Sequence, residues 1–289
     1  MKIKSLLAAA LIFFTFMPSA TINAAHSKNE AAYDFIAQLG IADDINLDNT
    51  KVTRAEFTAM AVRCMNVDFM ADCDDSFRDV KSDTPFAGEI YTARNLKIVN
   101  GTSYDTFSPE SGVTYGVAVK ILVTALGYEQ LALASGGYPV GYMTVANNIK
   151  LLQGVKGENT SKITMQAALR LIYNALKTDL YLVSGILGED VTYTKSYGKN
   201  FLTENFGYTK ISGVVQTAGY ISMIPGFSYS ERYININGVE VKCSRDDEEK
   251  YLGLSCDVYY DSIDMIFAAA EVLGKNNITT VQADEVSSY

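Results

Sequence analysis

The sequence predicts an α+β chain of two modules, an all-α bundle of three helix-loop-helix repeats followed by a small all-β barrel or sandwich. Two observations carry this. The first is self-similarity: Thr53, Thr114 and Thr164 each open an apolar run and stand 61 and 50 residues apart. Periods near this length mark stacked supersecondary units, none of which buries its apolar face alone. The second is a change of pattern near Val191, where short β-rich runs replace helical spacing.

The first element in the chain is an address. Lys2 and Lys4 precede an apolar run from Leu6 to Met17, followed by Pro18, Ser19 and the small residues Ala24 and Ala25. A basic start, a short apolar stretch and a small residue at the cleavage point make residues 1–24 a secretory signal peptide. The run is shorter than the roughly 20 residues a bilayer-spanning helix needs. No later segment is long and apolar enough to span, so no transmembrane anchor is expected after cleavage. With 48% hydrophobic and 20% charged residues, the 289-residue chain has the composition of a folded globular protein. A net charge of −9 argues against nucleic-acid binding through a basic field. It does not exclude an anionic ligand, because a local arginine outweighs the global sign within the roughly 8–10 Å screening length.

The repeats are read at residues 27–68, 77–129 and 136–178. Aligned on the threonines, Phe57 coincides with Ala118 and Ala168, and Met60 with Ile121 and Leu171. Cys64 then coincides with Ala125 and Ala175. This i, i+3, i+4, i+7 spacing is the core-facing stripe of a helix. Each threonine is expected to cap its helix by accepting a backbone N–H, and Glu56 completes a capping box in the first copy alone. The helices before them end in a shared phrase, Ala93-x-x-Leu96-Lys97-Ile98-x-x-Gly101 and Ala146-x-x-Ile149-Lys150-Leu151-x-x-Gly154. Gly101 and Gly154 are expected to take the left-handed C-terminal cap; the first copy has Asp44 there.

Residues 189–289 form the β-rich module, joined to the helices near Thr178–Gly188. Its runs are Val214-Val215, Tyr233–Ile236, Val239–Val241, Val258–Tyr260 and Met265–Phe267, with a last strand over Thr279–Val286. Asn237-Gly238 is a two-residue hairpin signal. Of the four cysteines, Cys243–Cys256 and Cys64–Cys73 are the sequence-local pairs that export would permit. Cys64 also lies on an apolar helix face, where a free thiol behaves as a small hydrophobe.

In the second and third copies the residues become specific. Phe77-Arg78-Asp79-Val80 opens copy two, followed by Ala93, Ile98-Val99-Asn100-Gly101, Phe107-Ser108-Pro109 and Val113-Thr114. Copy one supplies Val52-Thr53-Arg54-Ala55-Glu56-Phe57, and copy three opens Gly136-Gly137-Tyr138-Pro139-x-Gly141-Tyr142. Together these resemble the S-layer homology family over roughly Ala31 to Lys177. The resemblance implies three repeats around a pseudo-threefold axis. It also implies non-covalent attachment to the cell wall of a Gram-positive bacterium, through pyruvylated secondary cell-wall polysaccharide bound between repeats.

Carried over position by position, Arg54 matches the arginine that contacts the anionic sugar and Asp79 the aspartate that shapes the groove. Phe86 stands where the family has tryptophan, and Gly101 matches the helix-end glycine. The chemistry suits these types: a pyruvate ketal puts a carboxylate on a sugar, and an arginine fork meets a carboxylate with two parallel bonds. Copies two and three carry Tyr115 and Met165 in place of the arginine, so at most one junction is expected to keep the full charge complement. Without the family context, Arg54 is a solvated or glutamate-paired side chain at a helix start.

No catalytic pattern competes with this. The single histidine, His26, lies beside the cleavage point, and no G-x-S-x-G, phosphate-cradling glycine loop or H-E-x-x-H is present. Asp72-Cys73-Asp74-Asp75 and Asp246-Asp247-Glu248-Glu249 lack the spacing of a calcium loop and read as solvated turns. Tyr181, Tyr193, Tyr197, Tyr208, Tyr229, Tyr259 and Tyr260 read as half-buried sheet residues rather than a glycan face. The expectation is a non-enzymatic, exported envelope protein without cofactor or metal, whose β module is free to meet a surface-protein partner. A degenerate triplet acting as scaffold is the alternative.

Overall fold

The structure, a computed structural model, describes residues 28–47, 50–69, 77–187, 190–224, 226, 231–243, 245–274 and 276. The leader, His26, Cys73 with its acidic neighbours, Tyr229 and the strand expected over 279–286 lie outside the described residues. Seven helices come first: α1 (Lys28–Gln38), α2 (Arg54–Cys64), α3 (Ala87–Asn95), α4 (Tyr115–Ala125), α5 (Glu129–Ala134), α6 (Val140–Asn148) and α7 (Met165–Lys177). The aligned stripe is core as expected: Phe57, Ala118 and Ala168 are all fully buried, as are Met60 and Leu171.

Helix ends follow chemistry only partly visible in the sequence. Thr53 caps α2 with the full box, its hydroxyl accepting Glu56 N–H at 3.1 Å while Glu56 Oε2 accepts Thr53 N–H at 2.7 Å. Thr164 caps α7, but Thr114 makes no side-chain cap bond. The glycine expectation needs correcting. The left-handed position after these helices is taken by Gly40, Lys97 and Lys150, at φ of 67°, 60° and 63°. There Ile41, Ile98 and Leu151 N–H each reach back to the carbonyl of Ile36, Ala93 and Ala146, the six-residue bond of a Schellman motif. Gly101 serves another purpose. A Cβ there would lie 2.3 Å from Ser103 O and 2.6 Å from Thr106 O, so only glycine lets the chain fold back so tightly.

Successive repeats exchange backbone bonds where the capped helices start. Arg54 N–H donates to Ser111 O, Ala55 N–H to Pro109 O and Val113 N–H to Val52 O. The pattern recurs with the helix start 61 residues on and the facing loop 50 residues on: Tyr115 N–H donates to Ser161 O, Gly116 N–H to Asn159 O and Ile163 N–H to Val113 O. The orphan N–H groups of each helix start are thereby satisfied by the loop of the next unit.

After α7 comes an antiparallel hairpin, β1 (Tyr181–Leu187) with β2 (Asp190–Lys195), occupying the stretch read as a connector. A short π-turn over Phe201–Asn205 leads into β3 (Tyr208–Gly219), which pairs briefly with β4 (Ile221–Ser222). Then follow β5 (Tyr233–Ile236), β6 (Val239–Lys242), β7 (Ser255–Asp261) and β8 (Ile266–Val272). The sheet order is β4-β3-β5-β6-β8-β7, and β3 pairs additionally with β7. Asn237 and Gly238 make the β5–β6 turn at φ of 52° and 80°, as a two-residue hairpin with both centres left-handed requires. The acidic run expected as a solvated turn is instead ion-paired: Arg232 Nε meets Glu248, which is fully buried, at 2.5 Å.

The sheet sits directly on α1 and α7. Tyr259 and Ala269 belong to the same apolar core as the helices, and Phe35 meets the Tyr173 and Tyr259 rings edge-on at 5.7 and 5.3 Å. Glu271 accepts from Tyr173 and pairs with Lys177. Gln38 acts as a side-chain extension of the sheet. Its Nε2 donates to Ala270 O at 3.1 Å, while its Oε1 accepts Ala270 N–H at 3.0 Å and the Tyr251 hydroxyl at 3.1 Å.

Cys64, Cys243 and Cys256 are free and buried, so the Cys243–Cys256 bridge does not form. Cys243 follows β6, Cys256 lies in β7, and β8 runs between those strands. Two inter-strand steps of about 4.8 Å exceed the roughly 4.4–6.8 Å Cα separation a disulfide tolerates. Burial pushes Cys243 up to about 11 and Cys256 up to about 12, and raises Cys64 as well.

Two outcomes are expected. Gln38→Ala strips Ala270 of both its bonds to Gln38 and should destabilise the fold by about 1–3 kcal/mol, read as a lower urea midpoint; an unchanged midpoint contradicts the docking role. Raised thiol pKa values leave almost no thiolate at pH 8, so these three cysteines should resist iodoacetamide until urea is added. Peptide mass mapping before and after unfolding checks this.

Candidate binding site at the first repeat junction

Arg54 begins α2 at the junction of copies one and two, and its side chain turns inward. Only 9% of the residue is exposed. One Nη donates to the Asn100 carbonyl at 2.5 Å, and the guanidinium lies 4.6 Å above the Phe107 ring, within cation–π range. Its Nε is buried without a hydrogen-bond partner. Among the described residues no carboxylate pairs with it, and burial draws its pKa below the ordinary arginine value with nothing opposing the shift. The glutamate pairing that a lone helix-start arginine would favour is absent here because Glu56 is engaged by the Thr53 cap.

The ring beneath Arg54 is held from below. Asp79 accepts Phe107 N–H at 2.8 Å and Ser108 N–H at 2.7 Å, one on each carboxylate oxygen. Phe107 lies 5.4 Å from Phe77, and the Arg94 guanidinium lies 4.3 Å from the Phe77 ring. The order Arg54, Phe107, Phe77, Arg94 is a pair of rings between two cations. Gly101, next to Asn100, permits the tight return that aims the Asn100 carbonyl at Arg54.

Three of the four site residues named from the sequence therefore converge: Arg54 directly, Asp79 through Phe107, and Gly101 through Asn100. Phe86 does not join them. Its ring lies 5.4 Å from the guanidinium of Arg63, which pairs with Glu89 at 2.8 Å. Phe107 and Asn100 were missed as site residues, although both stand in the quoted phrases Phe107-Ser108-Pro109 and Asn100-Gly101. At the other positions the arginine is replaced by apolar packing: Tyr115 and Met165 are 3% and 4% exposed, and a Cβ on Gly157 would touch the Tyr115 ring at 3.0 Å.

Beside the start of α2 a cleft of about 400 Å³ is lined by Thr50, Lys51, Val52, Thr53, Glu110 and Gly112. Arg54 is adjacent to this lining without being part of it. Among the described residues no group of three or more His, Cys, Asp or Glu side chains is placed to hold a metal ion. No helix among them is long and apolar enough to cross a membrane.

The first junction thus sets a buried guanidinium on an aromatic ring where successive helical units trade backbone bonds. Residues 76–116 match the S-layer homology domain. Over 140 residues, 47% of its length, the chain is 31% identical to the "Middle cell wall protein" of Brevibacillus brevis. Over the same share it is 30% identical to the "Surface layer protein" of Brevibacillus choshinensis. A "Cell surface protein" of Thermoanaerobacter kivui is 28% identical over 108 residues. These matches span only 12% to 14% of the relatives' own lengths. The chain carries an S-layer homology domain, and it is a protein of the cell-envelope surface.

Asp79→Ala releases the two amides that fix the Phe107 loop and should cost about 1–3 kcal/mol. The loss is read in thermal unfolding, and fast amide exchange at Phe107 and Ser108 would localise it. Unchanged exchange there contradicts the positioning role.

Proposed function

We propose that this chain fastens itself non-covalently to the cell wall by binding a pyruvylated secondary wall polysaccharide at the first repeat junction. In this reading it is not an enzyme. The helical repeats at 27–68, 77–129 and 136–178 are the tether, and the β module at 189–289 is the load, free to meet another surface protein. The carrying observation is Arg54, a buried guanidinium on the Phe107 ring with an unpartnered Nε and, among the described residues, no carboxylate. A desolvated cation left unpaired is costly, and an incoming ketal carboxylate would relieve that cost through charge-assisted bonds.

The finer architecture belongs to the same reading. The equivalent bonds at the first two junctions support repeats arranged about a pseudo-threefold axis. The extra β3–β7 pairing, which links the end strand β7 back to β3 and leaves only the short β4 outside the ring, supports a closed barrel.

One observation favours the second reading, a triplet that scaffolds without sugar: Arg54 is nearly enclosed and does not line the neighbouring cleft. Retention on purified pyruvylated wall polymer separates the two. Arg54→Ala should weaken it about 10–100-fold, the equivalent of a charge-assisted bond pair, with Arg54→Lys between. Equal retention by Arg54→Ala, or none by the native protein, establishes the scaffold instead.

A further inference from the structure

We infer that the edge strand β4 is a strand-acceptor site, and that its occupant is this chain's own segment 278–286, which adds to β4 as a further strand of the β module. β4 stands at one end of the strand order and, among the described residues, pairs with β3 alone. Edge strands are ordinarily guarded by charge, by proline or by a covering element. The run Tyr220-Ile221-Ser222-Met223 carries neither charge nor proline. Its apolar members are open to solvent, Tyr220 at 54%, Ile221 at 49% and Met223 at 60% exposure. Two further exposed apolar residues lie close by: Val214, in register with Ser255 on β7, and Val272, in register with Cys256. Single exposed apolar side chains are ordinary, whereas a cluster of them at a sheet edge marks a docking surface.

The chain leaves β8 at the border of this surface. Leu273 N–H donates to Ser255 O at 2.9 Å. The Asn276 side chain then takes both main-chain groups of Ser255, its Oδ1 accepting the N–H at 2.6 Å and its Nδ2 donating to the carbonyl at 3.2 Å. Two residues before Ser255, a Cβ on Gly253 would lie 3.6 Å from Met223 Sδ. Ser255 thus stands about 7 Å, two extended residues, from the glycine that Met223 lies against. From Asn276 the sequence continues through 277–289, outside the described residues. Five extended residues reach about 17 Å, enough to bring residue 281 alongside β4. Ile278-Thr279-Thr280-Val281 is an unbroken β-branched run, the side-chain type that favours extended backbone. Thr279, Val281 and Ala283 share one face at strand spacing. Strand addition gives the β4 edge main-chain partners and lays that face over exposed apolar surface. A segment tethered at Asn276 acts at high effective concentration, an advantage that the same segment of a second copy lacks.

Oxidation of Met223 by hydrogen peroxide in the full chain, followed by peptide mass mapping at several protein concentrations, tests this. Met223 in the native protein should oxidise about 10-fold more slowly than in Val281→Asp, as befits a side chain reached only through local opening. The difference should be independent of protein concentration, and Val281→Ile should keep the native rate. Met60, fully buried in α2, should stay slow in every variant and reports that the helical part is folded. Equally fast oxidation of Met223 in the native protein and in Val281→Asp leaves the edge uncovered and overturns the inference. Equally slow oxidation in both assigns the cover to another part of the chain and overturns it too. Protection that appears only as the protein dimerises, read by sedimentation, gives the edge to a second copy instead.

Discussion

The seating of the Arg54 guanidinium on the Phe107 ring is the contact on which the rest of the site depends. It requires the α2 start to be threaded into the loop of copy two, which the backbone bonds through Ser111 and Pro109 accomplish. It requires the ring to be immobile, which Asp79 secures by holding the amides on either side of the Phe107–Ser108 bond. It requires Glu56 to be occupied elsewhere, and the capping box does that. The same helix start thus satisfies its own amides with one acid and leaves its arginine without one. Local stability and an open electrostatic demand come from the same five residues, Val52 to Glu56.

The junctions differ in how they spend this geometry. All three helices that follow the aligned threonines begin with a buried side chain, and the main-chain bonds at the first and second junctions are the same in pattern. The side chain at the first helical position decides the chemistry: charged at Arg54, apolar at Tyr115 and Met165. A tyrosine there packs on Gly157 and adds stability to the bundle at the cost of the charge. Repeat proteins permit this division because each unit contacts mainly its neighbours, so one junction changes without the others.

The sheet is not a passenger on the helices. Gln38 completes a pair of bonds with Ala270 as a strand neighbour would, and the Phe35, Tyr173 and Tyr259 rings make one continuous core across the boundary. Glu271 draws Tyr173 and Lys177 to the same place. A sheet fixed to α1 and α7 in this way moves with the helical part rather than swinging from a linker.

Most helices, the β5–β6 hairpin and the capping box were legible in the sequence, because each is decided by neighbours within about one turn or one strand pair. Arg54, Asp79 and Gly101 were legible as positions in a repeated phrase. Their roles were not: whether an arginine is paired depends on which carboxylates the fold brings near it. Gly101 looked like a cap and proved to be a point of close backbone return, while Lys97 took the left-handed turn. Phe86, expected as the aromatic residue beside Arg54, lies by Arg63 instead, and the ring next to Arg54 is Phe107, from a loop. The Gln38 docking bonds join residues distant in sequence, and Cys243 and Cys256 stay unbridged because a strand separates them. Periodicity and short motifs report local preference, and only the packed chain determines which charges are left unanswered.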